Sequence, residues 1–131
     1  MINSVNLTSE LVKCPSVTPD DAGTFKLIKE LFKDTDFKIT EVSKNGIKNL
    51  FLRWGSKNLP TFGFCGHIDV VNPGEVNKWK LNPFSGKIIN NEIFGRGSVD
   101  MKSAVAAFCL AALKVSKETL PIFSIVLLIT S

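Results

Sequence analysis

Apolar residues along the chain follow two spacings, and the change from one to the other comes just after Asp34. In "NSVNLTSELVKC", Val5, Leu7, Leu11 and Val12 recur at helical intervals. The two prolines of "CPSVTPDDAG" break that pattern and place the start of a second helix inside the break. Thr18 is its expected N-cap, Pro19 its first helical residue, and Asp20 with Asp21 its favourable charges at the positive end of the dipole. Phe25, Leu27, Ile28, Leu31 and Phe32 then give this helix one buried face. Beyond Asp34 the period is two. "FKITEV" and "IKNLFLRW" alternate as half-buried strands around a turn at Asn45 and Gly46. "TFGFCGHIDVV" is apolar enough to predict a strand covered on both faces. "FSGKIINNEIFGRG" predicts two short strands joined at Asn90 and Asn91. An alanine-rich helix over "DMKSAVAAFCLAALKVSKE" follows, and Pro121 introduces a last apolar strand.

Helices outside a run of strands predict an α/β domain with a mixed, largely parallel sheet flanked by helices. At 131 residues the chain is long enough for one domain with its own core. Composition then narrows the class. Cys14, Cys65 and Cys109 form no paired framework, and no basic and apolar leader opens the sequence, so a reduced, cytoplasmic setting is expected. The apolar stretch from Leu120 to Ser131 is far shorter than the roughly 20 residues that cross a bilayer, and no membrane association is expected. The net charge of +4 comes from lysines scattered along the chain without a basic face, which argues against a nucleic-acid partner.

Two short segments carry the candidate chemistry. In "FCGHIDVV" the single histidine, His67, stands two places before Asp69 near the end of an apolar strand. Ligands gather at such strand ends in open α/β sheets. In "GRGSVDMKS" Asp100 stands at the mouth of the alanine-rich helix behind two glycines. Taken alone, a histidine in a strand is usually a packing residue and an aspartate before a helix usually its N-cap. Together they offer an imidazole and a carboxylate suited to zinc or a similar divalent ion. Cys65 and Cys109 read as small packing residues.

"SVTPDDAG", "GHIDVVNPG", "WKLNPFSGKIINNEIFGRGSVDMKS" and "LLITS" together resemble the N-terminal part of the catalytic domain of the M20 metallopeptidase family, whose members are dinuclear zinc hydrolases. The resemblance runs over essentially the whole chain. It implies hydrolysis of the amide of a small N-acyl amino acid, with two zinc ions per complete site and cobalt as a substitute. It implies that His67 binds one metal, that Asp100 bridges both, that Asp69 is the outer carboxylate orienting the metal-bound groups, and that the Asp100–Met101 peptide is cis. Trp79, Pro83 and Phe84 are expected to pack, and Arg96 and Lys102 to form local salt bridges or to shape the site. The resemblance also places the general-base glutamate, the remaining metal ligands and a lid domain for homodimerisation beyond the segment matching "LLITS". The competing expectation is an interaction module whose last strand exposes an apolar face and an open edge.

Overall fold

A computed structural model describes residues 3–118 and 120–131. Helix α1 (Ser4–Lys13) begins at Asn3, whose side chain accepts the Asn6 N–H at 2.8 Å. Helix α2 (Thr24–Phe32) starts later than Thr18: its N-cap is Gly23 in a left-handed conformation. Thr18 is drawn elsewhere by tertiary contacts, and Asp20 accepts the Ala22 N–H, forming a turn before the helix. Strands β1 (Lys38–Lys44) and β2 (Ile47–Trp54) pair as an antiparallel hairpin across Asn45 and Gly46, both at positive φ. Strand β3 (Thr61–His67) follows, then the two-residue strands β4 (Ile88–Ile89) and β5 (Glu92–Ile93) joined at Asn90 and Asn91 as expected. Helix α3 (Ser103–Glu118) returns the chain to β6 (Ser124–Thr130).

The main sheet has the order β1-β2-β6-β3. It is mixed, but the expectation that it is largely parallel fails: β1–β2 and β2–β6 are antiparallel, and only β3–β6 is parallel. The reason is connection length. A two-residue turn forces β1 and β2 to run oppositely, whereas the long α3-containing crossover lets β6 lie parallel to β3. Two further expectations are corrected by this order. Strand β6 is internal, and the edges of the sheet are β1 and β3. Strand β3 is not covered on both faces: Phe62 is 62% exposed, Gly66 is the one buried residue of the strand, and buried apolar side chains come only beyond it, at Ile68 and Val70.

One face of the sheet carries the core. Leu50, Leu52 and Trp54 of β2 stand opposite Ile129, Leu127 and Ile125 of β6 in register. Against them pack Leu7 and Leu11 of α1, Phe25, Ile28 and Phe32 of α2, and Val105, Ala106 and Cys109 of α3. Phe64 stacks on Phe108 at 4.3 Å, tying β3 to α3. Each such buried aliphatic or aromatic side chain contributes about 1.5–3 kcal/mol. Among the described residues no helix is long and apolar enough to cross a membrane.

Burial pushes the Cys109 thiol up to about 12, whereas Cys65 is exposed on β3. Alkylation of the folded chain at pH 8 is therefore expected to modify Cys65 and to spare Cys109 until the chain unfolds. Peptide mass spectrometry checks this, and equal labelling of the two would contradict the packing of α3.

Candidate metal centre

Strand β3 ends at His67, whose register partner on β6 is Thr130, and the Ile68 N–H still donates to Thr130 O at 2.9 Å. The chain then leaves the sheet and is taken over by the segment after α1. Ser16 Oγ donates to Ile68 O at 2.6 Å, the Val70 N–H donates to Ser16 O at 2.8 Å, and Thr18 Oγ1 donates to Asp69 Oδ2 at 2.6 Å. Ser16 and Thr18 thus hold the histidine-bearing segment. Sequence reasoning missed this role, because Thr18 reads locally as a cap and its partner lies 51 positions away. The hydroxyls of "PSVTP", placed between two helical patterns, are the only local sign of it.

The second half of the site enters from the turn before α3. Residues Ser98–Lys102 form a widened turn with non-helical dihedrals at Asp100 and Met101, and the Asp100–Met101 peptide is cis, in line with the resemblance. Asp100 therefore does not cap α3. Its side chain is 85% exposed and reaches across to His67, with Oδ1 lying 3.1 Å from Nε2. The structure brings together all three residues singled out in the sequence: His67 Nδ1 is 3.1 Å from Asp69 O and 3.4 Å from Asp69 Oδ1.

These contacts fix what the site can bind. Asp69 O is a carbonyl and only accepts, so Nδ1 must carry a proton to meet it, which leaves the lone pair on Nε2. That lone pair points at a carboxylate oxygen, another acceptor, and two acceptors at 3.1 Å need a cation between them. Either a second proton on the imidazole or a metal ion meets that need. An imidazole steadied through its other nitrogen and paired with a carboxylate is the donor chemistry that zinc takes, so the residues present fit part of a metal shell. The fit is partial. Among the described residues no three His, Cys, Asp or Glu side chains converge on one point suited to a metal ion.

His67, Asp69, Val71, Arg96 and Asp100 line a cleft of about 310 Å³. Arg96 makes no ion pair among the described residues. Its guanidinium lies 5.2 Å over the Trp79 ring, and the Arg96 main-chain N–H donates to Pro83 O at 2.7 Å. Pro83 is buried and Trp79 half-buried, consistent with packing roles. Lys102 also lacks an ion pair: its fully buried Nζ donates to Leu11 O and Cys14 O, and burial pushes its pKa down to about 8.

The chain is similar in sequence and fold to known proteins. The succinyl-diaminopimelate desuccinylase of Cereibacter sphaeroides (strain ATCC 17029) is 48% identical over 130 residues, which are 98% of this chain and 34% of that protein. The chain thus spans about a third of the length of the curated relatives it matches. Among solved structures, an M20 family metallo-carboxypeptidase from Sulfolobus solfataricus superposes with a TM-score of 0.82 at 20% identity, over 98% of this chain and 30% of that one. The Bacillus subtilis YXEP protein, described as a dinuclear metal binding peptidase from the M20 family, gives 0.63 at 15% identity over 96% and 33%. The family described as Peptidase family M20/M25/M40 matches residues 63–131, a stretch that opens within β3, takes in His67, Asp69 and Asp100, and closes with β6. With more than half of its length in that match, including every candidate metal-site residue, the chain belongs to peptidase family M20/M25/M40.

Proposed function

We propose that residues 1–131 are the N-terminal part of the catalytic domain of a succinyl-diaminopimelate desuccinylase, acting on N-succinyl-LL-2,6-diaminopimelate in the bacterial cytoplasm to give succinate and LL-diaminopimelate. The observation that carries this reading is His67 Nε2 lying 3.1 Å from Asp100 Oδ1, on a chain 48% identical to a named desuccinylase. "SVTPDDAG" favours this substrate over an N-acylated ornithine, the nearest alternative.

In this reading His67 Nε2 and the exposed Asp100 carboxylate would be the residues of this chain that hold the metal ions. Asp69 holds the imidazole through its main-chain carbonyl, while its own carboxylate is anchored by Thr18. Two zinc ions, or cobalt in their place, would supply Lewis acidity at the amide carbonyl and a water acidic enough to ionise near neutral pH. Zinc takes about four ligands, so the remaining ligands, the general-base glutamate and the lid through which two copies pair belong to the portion of the relatives that this chain does not span.

Two assays test the reading. A protein of the relatives' full length carrying this sequence is expected to hydrolyse N-succinyl-LL-diaminopimelate with a kcat/KM well above that for N-acetylornithine; the reverse preference would overturn the substrate assignment. The 131-residue chain supplied with zinc or cobalt is expected to give no measurable hydrolysis, because the base and half of the ligands are transition-state groups that nothing in it replaces. Turnover comparable with the longer protein would refute that division of the site.

A further inference from the structure

We propose that Lys102 is a positioning residue: its buried amino group, bound to the last carbonyls of α1, fixes the turn that carries Asp100 and so sets the distance from Asp100 to His67. The consequence for metal binding rests on the reading above; the geometric effect does not.

A buried amino group is costly unless its donors are met. Here two are met, by Leu11 O at 2.8 Å and Cys14 O at 2.7 Å. These acceptors lie at the C-terminal end of α1, Leu11 O in its last turn and Cys14 O at its C-cap; each also accepts a main-chain N–H, from Cys14 and Ser16 in turn, so Lys102 adds a second donor to each where the dipole favours a cation. The Lys102 main chain is bound as well, its N–H donating to Gly97 O at 2.9 Å and closing the turn. The opposite end of the turn is equally confined. Gly97 has φ +82°, and a Cβ there would stand 2.4 Å from Val70 Cγ1, just past the histidine-bearing strand. Between these two anchors the Asp100 side chain is 85% exposed, and its hydrogen-bond contact is with His67 Nε2. A carboxylate with so few neighbours takes its position from its backbone, and that backbone is held at Gly97 and Lys102.

The α1 exit also holds the other half of the site. Ser16 binds Ile68 and Val70, and Thr18 binds Asp69. Residues 11–18 are therefore a common mount, gripping the histidine side through hydroxyls and main chain and the aspartate side through Lys102. An apolar side chain at 102 would fill the same space and lose both bonds to α1.

The test uses the metal-free 131-residue chain and three variants. Lys102→Met removes the donors, Lys102→Gln keeps a shorter donor, and Leu113→Ala loosens the core in α3 away from the site. Nuclear Overhauser contacts between the His67 ring and the Asp100 methylene read the geometry, and zinc titration by calorimetry reads its consequence. Lys102→Met is expected to lose the contacts and to bind zinc about tenfold or more weakly, with Lys102→Gln intermediate. Leu113→Ala is expected to keep both while its unfolding midpoint falls. Retained contacts in Lys102→Met would overturn the inference, as would loss of zinc affinity in Leu113→Ala in proportion to its lost stability. Should Lys102→Met fail to fold, Lys102→Gln decides by the same contacts. If the unmodified chain takes up no zinc, the two ligands it carries do not hold the ion by themselves, and the contacts alone decide the role of Lys102.

Discussion

Replacing His67 by alanine is expected to lower the zinc affinity of the chain by about a hundredfold or more, on the ground that loss of an outer-sphere partner already costs 10–100-fold. His67 is the one histidine of the sequence, so no other imidazole can take its place. Asp69 O fixes the ring by accepting from Nδ1, and this leaves Nε2 aimed at Asp100. On the proposed reading, removing the ring takes away a metal ligand as well as the partner that Asp100 faces. Asp69→Ala should be milder, because the main-chain carbonyl survives the change. Calorimetric titration checks both variants; an affinity unchanged in His67→Ala would place zinc elsewhere on the chain.

The largest expected loss of stability comes from Gly95→Ala, about 2–4 kcal/mol from overpacking together with an unfavourable backbone conformation. A Cβ at Gly95 would stand 2.3 Å from Val12 Cγ1 and 2.8 Å from Pro83 O. Neither neighbour yields easily: Val12 is fully buried in α1, and Pro83 O is main chain that accepts the Arg96 N–H. The variant is expected to unfold at a distinctly lower denaturant midpoint, with α1 and the segment leading to Asp100 pushed apart. A midpoint unchanged within error would mean that the backbone around Gly95 gives way freely, contrary to this packing.

How much was legible before the structure depended on whether the governing contact was local. The β1–β2 hairpin followed from alternation plus a turn pair that tolerates positive φ, and the same logic gave the Asn90–Asn91 turn. Strand β3 misled because "TFGFC" is apolar for a different reason: Phe62 and Phe64 lie along Phe108 at a sheet edge rather than in a covered interior. The start of α2 was misplaced because Thr18 has two uses, and the contact with Asp69 won over the helix cap. His67 and Asp69 were legible as a pair from their spacing. Asp100, 33 positions on, joined them through the motif it sits in and not through any local period. The role of Lys102 was invisible in sequence, since nothing in "DMKS" reveals that its side chain ends on carbonyls 91 and 88 positions earlier.

The central claim, that this chain carries one imidazole and one carboxylate of a shared metal centre, is tested most directly by a single zinc titration of protein labelled in histidine nitrogen and aspartate carboxyl carbon. The His67 Nε2 and Asp100 Cγ resonances are expected to move together and to saturate at the same zinc concentration, with Nδ1 remaining protonated toward Asp69. A titration that moved neither resonance, or that moved one and left the other fixed at saturation, would contradict the claim.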